Sequence, residues 1–227
     1  MTAAQPQVPP HPAEIADDLA LGERFPGYFL IPLSEFGKSL DSPDLDEWFE
    51  AFAERNNDAG GEFEITARGE LKIMAPTGDP GDLHEYDFGL ALGNWALEYG
   101  GRAGGPTSRF VLPDGSRLGP DAWWISEERW NSLPATARRP FRAVVPDFVV
   151  EIVSPSNRGP ELADKVRRYL EGGARLVWVI NARRREVTVH CPDTAPELLQ
   201  DPETLHGSDV LPGFAFNVRE RIFDNVP

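Results

Sequence analysis

Residues Pro146–Asn157 read PDFVVEIVSPSN, and one acidic residue inside that apolar run decides how the chain is read. Phe148, Val149, Val150, Ile152 and Val153 make a strand-forming run of the kind covered on both faces. Glu151 interrupts it. A carboxylate in such a place is costly unless an ion-pair partner or a cation meets it. The reading that follows is a central strand with Glu151 facing positive charge.

Working outward, Glu161–Glu171 has helical spacing, Arg175–Ile180 reads as a strand, and Glu186–His190 reads as its hairpin partner. Upstream, strands are expected at Ser108–Leu112 and Asp121–Ile125, separated by the hairpin-like PDGSRLG, with a short helix at Ser126–Ser132. The longest helical pattern is Leu83–Tyr99, with Leu83, Tyr86, Leu90, Leu92 and Trp95 expected inward. Before it come two short strands, Glu62–Ala67 and Glu70–Met74, joined at Arg68-Gly69. A helix at Pro43–Arg55 is carried by Leu45, Trp48, Phe49 and Phe52. One or two weaker strands are expected near the C-terminus.

Strands with intervening helices over this length indicate an α/β (α+β) sandwich with a mixed central β-sheet flanked by helices. Residues 1–24, rich in Pro, Ala and acid, read as a loosely ordered tail. Residues 25–60 read as a lead-in, apolar and irregular at Phe25–Leu40 and then helical, and 61–227 as the main domain. The glycine-rich GGRAGG lacks the Lys-Ser/Thr ending of a phosphate loop and follows a helix, so it reads as a link.

The chain has 227 residues, 41% of them hydrophobic and 10% aromatic, enough for a sizeable core. The single cysteine, Cys191, excludes an intramolecular disulfide and a cysteine-rich zinc cluster. No run approaches the roughly 18 apolar residues of a membrane span. The N-terminus has no basic start and no apolar h-region, so a cytoplasmic protein without a membrane partner is expected.

A net charge of −15 argues against a broad surface for nucleic acid. The distribution is uneven, however. Residues 1–60 hold 12 acidic and 3 basic side chains, whereas Arg138–Arg185 holds 11 basic and 5 acidic ones, half of the 22 Lys and Arg. That segment, which contains Glu151, is where a polyanion would bind. The plainer reading of any one arginine there is solvated surface.

Three residues stand out. Asp121 begins the DAWWIS strand, and Glu151 sits near the end of a buried one. Two carboxylates on adjacent strands suit a hard divalent cation, Mg²⁺ or Mn²⁺. On the next helix the apolar stripe is Leu162, Val166, Tyr169 and Leu170, and Lys165 borders it. Helical side chains lean toward the N-terminus, which aims Lys165 back toward the SPSN loop. Two acids and an ammonium are what metal-assisted phosphodiester hydrolysis requires. The structural alternative is that Asp121 caps a turn, Glu151 pairs with an arginine and Lys165 runs out to solvent. A carboxylate-pair hydrolase acting on another substrate, such as a glycoside, is a third possibility.

GELKIMAPTG, SRFVLPDGSRLGPDAWWISEERW, PDFVVEIVSPSN and DKVRRYLEGGARLVWVI together resemble the Uma2-type (DUF820) family, restriction-endonuclease-like proteins of the PD-(D/E)XK nuclease superfamily. The resemblance covers roughly Glu62–His190. It implies a metal-dependent nuclease fold acting on DNA, with Pro120-Asp121 as the PD and Glu151 as the second acid. The superfamily's usual lysine, two residues beyond that acid, is absent here, where Val153 stands. The family supplies a lysine from the following helix, which maps onto Lys165. A homodimer is the expected assembly, and a dimeric binding or assembly module with weak or absent cleavage is the alternative function. Related nucleases take an additional metal ligand from the helix that opens at His84–Asp87, which makes Glu85 and Asp87 further candidates; being two apart, they cannot both face the sheet.

Other residues fit packing roles. Asp147, on the same side of the strand as Glu151 but about 13 Å away, reads as a residue of the strand's start. Ser154 and Ser156 are expected to order the loop after Glu151. Of the six tryptophans, Trp178 and Trp95 read as core, and Trp124, which shares no face with Trp123, as partly exposed.

Overall fold

The computed structural model describes residues 28–56, 61–74, 81–134, 141–153 and 159–225. The tail 1–24, the loop serines Ser154 and Ser156, and Arg158 lie outside the described residues.

Two six-stranded sheets form the framework. The run that contains Glu151 is strand β9, Phe148–Ile152, buried along its whole length. It lies between β7 (Ala122–Ile125), antiparallel to it, and β10 (Leu176–Asn181), parallel to it. The sheet continues through the hairpin to β11 (Glu186–His190) and on to β12 (Glu197–Gln200), and ends on its other side at β4 (Arg102–Gly104). This is the mixed central sheet that the alternation of elements predicts.

The other sheet has the order β1 (Tyr28–Pro32), β3 (Glu70–Met74), β2 (Glu62–Ile65), β6 (Arg117–Leu118), β5 (Arg109–Val111), β8 (Phe141–Arg142). Gly69, with φ of +74°, makes the turn between β2 and β3 in a conformation that favours glycine. The segment read as an irregular lead-in holds β1, which pairs antiparallel with β3 from Tyr28↔Met74 to Pro32↔Glu70. Its sequence, YFLIP, lacks alternation because it is an edge strand carrying Phe29 and Leu30 exposed. Helix α1 (Leu45–Asn56) covers this sheet with Leu45 and Phe49 against Phe63, Ile65 and Leu71.

Helix α2 (Gly81–Tyr99) packs on one face of the central sheet. Its buried residues are His84, Phe88, Leu92 and Trp95, so Leu92 and Trp95 face inward as expected while the rest of the inward face differs. Leu83, Tyr86 and Leu90 point outward, at 47%, 65% and 45% exposure. This helix has apolar residues on both sides, and spacing alone cannot choose between two stripes; the aromatic one, Phe88 and Trp95, fills the gap beneath Phe148, Trp178 and Phe214. Short helix α3 (Glu127–Ser132) is capped by Ser126. Helix α4 (Gly159–Glu171) packs on the opposite face of the sheet through Val166 and Tyr169. Beyond β12 come the small hairpin β13 (Leu205–His206) and β14 (Ala215–Phe216), then a π-helical turn at Arg219–Phe223.

The link GGRAGG is itself partly a strand, β4, paired with β7. A Cβ on Gly101 would lie 2.4 Å from Trp124 Nε1, and one on Gly104 would lie 2.4 Å from the Trp123 ring. Glycine is needed because β4 runs directly over those indoles. This covering also buries Trp124, 6% exposed and donating to Gly100 O, where the sequence reading left it partly open. Trp178, 1% exposed, is core as read, its ring centroid 4.9 Å from that of Phe148.

Trp178→Ala should therefore cost about 3–5 kcal/mol in urea denaturation, from lost transfer energy plus a cavity. Leu97→Ala, at an 87% exposed position on α2, should stay within about 0.5 kcal/mol.

Candidate active site

Glu151 faces the side of the central sheet that α4 covers. Its neighbours Val150 and Ile152 join the core under α2, while Val149 joins the core under α4 with Val166 and Tyr169. The β7–β9 register runs Trp124↔Phe148, Trp123↔Val149, Ala122↔Val150. Asp121 immediately precedes this pairing, and its backbone and carboxylate bracket Glu151 by bonding to the residues on either side of it. Asp121 Oδ2 accepts the Ile152 N–H at 2.5 Å, while Asp121 N–H donates to Val150 O at 3.1 Å.

Lys165 reaches this pair from the second turn of α4. Its Nζ lies 2.9 Å from Glu151 Oε1 and 3.0 Å from Oε2. It donates to Oε2 and to Gly119 O, the latter at 2.8 Å. Glu151 Oε1 lies off the ammonium's donor directions and is buried without a hydrogen bond. The strand acids and the helix lysine are thus brought together as the sequence suggested, and Lys165 does not run out to solvent.

A third carboxylate joins them that the sequence reading missed. Glu64, on β2 of the other sheet, is 3% exposed; its Oε1 lies 3.2 Å from Lys165 Nζ and accepts the Gly119 N–H at 2.9 Å. In the sequence EFEI, Glu62 and Glu64 alternate with Phe63 and Ile65, which reads as a solvent-facing polar edge. Only the second sheet folding against the first makes that edge interior. Gly119 is the backbone pivot between the sheets, and a Cβ there would lie 2.1 Å from Arg109 Nη1 and 2.9 Å from Ser108 O. The Tyr169 hydroxyl, read only as part of an apolar stripe, is also buried without a hydrogen-bond partner.

The electrostatics divide the three acids. Burial pushes the Glu151 carboxyl up to about 8, with Asp121 and Glu64 adding to the shift and Lys165 opposing it. Burial likewise raises half-buried Asp121 to about 6 against the pull of Lys165 and the Ile152 amide. Burial acts on Glu64 too, but Lys165, Lys72, Arg109 and the Gly119 amide together hold it below the ordinary glutamate value. The Lys165 ammonium is held well above its usual range because the charges of Glu151 and Glu64 outweigh its own desolvation.

The remaining candidates fall elsewhere. Glu85 and Asp87 stand on α2, which packs on the opposite face of the central sheet from Glu151. Asp87 lies 4.0 Å from Arg221, and between the two acids His84 is buried with Nε2 3.3 Å from Asn225 O. Asp147 is 1% exposed and accepts from Ser126 N–H and from Arg129, both at 2.8 Å, tying α3 to the start of β9. Among the described residues no group of three His, Cys, Asp or Glu side chains is disposed to hold an ion. Asp121 and Glu151 offer carboxylate oxygens, donors of the type hard cations prefer. Glu151 Oε1, which makes no hydrogen bond and meets only the Lys165 ammonium, fits such a ligand.

Among the described residues, three arginines of the basic segment are closely ion-paired. Arg167 pairs with Asp164 and Glu171, Arg168 with Asp114 and Asp164, and Arg185 with Asp201 and Asp224, all between 2.5 and 2.8 Å. Among the described residues no helix is long and apolar enough to cross a membrane.

Comparison with known proteins agrees with this geometry. No curated protein sequence is significantly similar. A solved structure from Anabaena variabilis, described as "a putative nuclease belonging to DUF820", superposes with a TM-score of 0.62 at 16% identity, over 71% of this chain and 89% of that one. At that identity the likeness establishes the fold, sheets flanked by helices. Residues 47–219 match the family model Uma2, described as "Putative restriction endonuclease". That span runs from α1 to the π-helical turn and includes Asp121, Glu151 and Lys165: the chain belongs to the Uma2 family.

Proposed function

We propose that this protein is a Mg²⁺- or Mn²⁺-dependent endonuclease that hydrolyses DNA phosphodiester bonds in the cytoplasm. The observation that carries the reading is Asp121, hydrogen-bonded to Val150 and Ile152 on either side of Glu151, with the Lys165 ammonium 2.9 Å from Glu151. The pair of acids would supply oxygen ligands and leave further positions to water and substrate, as Mg²⁺ favours. When bound, the cation supplies positive charge to the phosphate oxygens and acidifies water. Lys165 places a compact ammonium beside the acids, where it stabilises negative charge that develops on the phosphate. Tyr169, Val166 and Val149 wall the floor of the site with buried side chains, which strengthens each charge interaction there.

The second reading is a homodimeric binding or assembly module with weak or absent cleavage. Two observations favour it. The arginines that would meet phosphates already hold carboxylates, and Leu83, Tyr86, Leu90 and Leu97 of α2 lie open to solvent. Under the endonuclease reading, DNA has to displace those carboxylates, so binding is weak and falls steeply with salt.

Asp121→Asn and Glu151→Gln should each lower Mn²⁺ affinity at least about 10-fold in titration calorimetry, within the range lost when a ligand or its orientation is removed. Unchanged affinity in either variant removes that residue from the site.

Ligand carboxyls must shed protons to bind a cation. With Glu151 near 8 and Asp121 near 6, Mn²⁺ affinity should fall about 100-fold from pH 8 to pH 6. The same raised values mean that the metal-free fold retains protons the unfolded chain releases. Its stability should thus decline as pH rises from about 4.5 toward 8, and Mn²⁺ should reverse the decline. A flat affinity profile over that range contradicts the assignment.

Lys165→Met should lower cleavage about 1000-fold, leaving a measurable residual rate, and lower stability by about 3–5 kcal/mol at pH 8, because buried Glu64 and Glu151 lose their shared counter-charge. The stability loss should shrink toward pH 5 as carboxyls protonate, measured by thermal denaturation across pH.

A further inference from the structure

In nucleases that carry the lysine on the same strand as the second acid, the backbone itself fixes the ammonium. Here Lys165 comes from a helix at the end of a long flexible stem, and a stem of that length needs an anchor. The nearest groups are Glu151, Gly119 O and Glu64. Glu151 is a poor anchor if it also serves a cation, since its oxygens are then shared. The other two do not belong to the ligand pair, and one residue links them: Glu64 Oε1 takes the N–H of Gly119, whose carbonyl takes the ammonium.

We propose that Glu64 is the positioning residue for Lys165, holding its ammonium from the opposite sheet while Glu151 turns to the cation. This rests on the endonuclease reading for its effect on rate, although the placement of the lysine is testable without it.

Several features support the role. Glu64 is 3% exposed in a strand buried over three of its four residues, so it has no solvent-facing purpose. Removing water from a carboxylate is tolerated only where charge and hydrogen bonds replace it. Lys72 and Arg109 both act on Glu64, keeping it ionised, in contrast to Glu151 and Asp121. Lys72 also belongs to a clasp over the start of α4: it lies 3.9 Å from Glu161 and stacks over the Tyr28 ring, whose hydroxyl donates to Glu161. The β1–β3 edge therefore grips the helix that carries Lys165 as well as the lysine itself.

The test is a double-mutant cycle of Glu64→Gln and Lys165→Met, scored by single-turnover cleavage of DNA with Mn²⁺. Glu64→Gln should lower the rate at saturating DNA about 100-fold, the penalty of a misplaced group, with KM changed less than about 2-fold. In the Lys165→Met background, measured against that variant's residual rate, it should cost nothing further. Glu64→Asp, which keeps the charge, should recover part of the rate and serves if the glutamine variant folds poorly. Lysine side-chain ¹H–¹⁵N spectra of the metal-free protein give a second readout. Wild type should show a protected NH₃⁺ signal, assigned by its absence in Lys165→Met and lost in Glu64→Gln. Independent, additive losses in the cycle, or an unaltered Lys165 signal in Glu64→Gln, overturn the proposal. If the wild type cleaves no DNA, the endonuclease reading fails and the NH₃⁺ signal alone decides: its loss in Glu64→Gln supports the positioning role, and its persistence overturns it.

Discussion

One ammonium set among three carboxylates holds this site in place. Lys165 Nζ is within 3.2 Å of Glu151 and Glu64, and it donates to Gly119 O where the chain passes from one sheet to the other. Each partner comes from a different part of the fold: β9, β2, the β6–β7 crossing and α4. Burial of so many charges is favourable only while all are present, since a lone buried charge costs several kcal/mol. The two sheets, the crossing and the helix are therefore mutually constrained at this point. The stacked cores, Phe88 and Trp178 on one side and Tyr169 and Val149 on the other, press the elements toward it without specifying it.

The arrangement also explains the altered motif. Val153, where the resemblance would place a lysine, follows β9 with its N–H donating to Ile180 O. The positive charge instead enters from above the sheet, along a helix whose stripe of Val166 and Tyr169 fixes its rotation. Leaning of helical side chains toward the N-terminus then delivers the ammonium to the end of β9. Moving the lysine to a helix has a consequence: its position depends on a second anchor, which Glu64 is placed to provide.

Much of this was legible before the structure. The apolar run broken by Glu151, the Pro120-Asp121 step and the Lys165 stripe each follow from local period and chemistry, which short-range sequence carries. What was hidden depends on contacts between distant segments. Glu64 sits in a strand whose alternation reads as solvent-facing, and becomes interior only when β2 meets Gly119, 55 residues away. The strand Tyr28–Pro32 has no alternation to announce it, and β4 is masked by glycines whose purpose is to clear Trp123 and Trp124. The α2 face was misjudged because that helix has two apolar sides, and only the sheet beneath it selects His84, Phe88, Leu92 and Trp95.

The charge balance has a physical reading as well. Arginines concentrated near the site look like a polyanion surface in one dimension, yet in the fold they are bound to Asp114, Asp164, Glu171, Asp201 and Asp224. Any phosphate backbone that approached these arginines would have to compete with those pairs. The most direct measurement is a crystal soaked in Mn²⁺ and recorded at the manganese absorption edge. The account predicts an anomalous peak within about 2.0–2.4 Å of both an Asp121 and a Glu151 oxygen, with Lys165 still beside Glu64. A protein that takes up manganese elsewhere, leaving Glu151 bound only to Lys165, would contradict it.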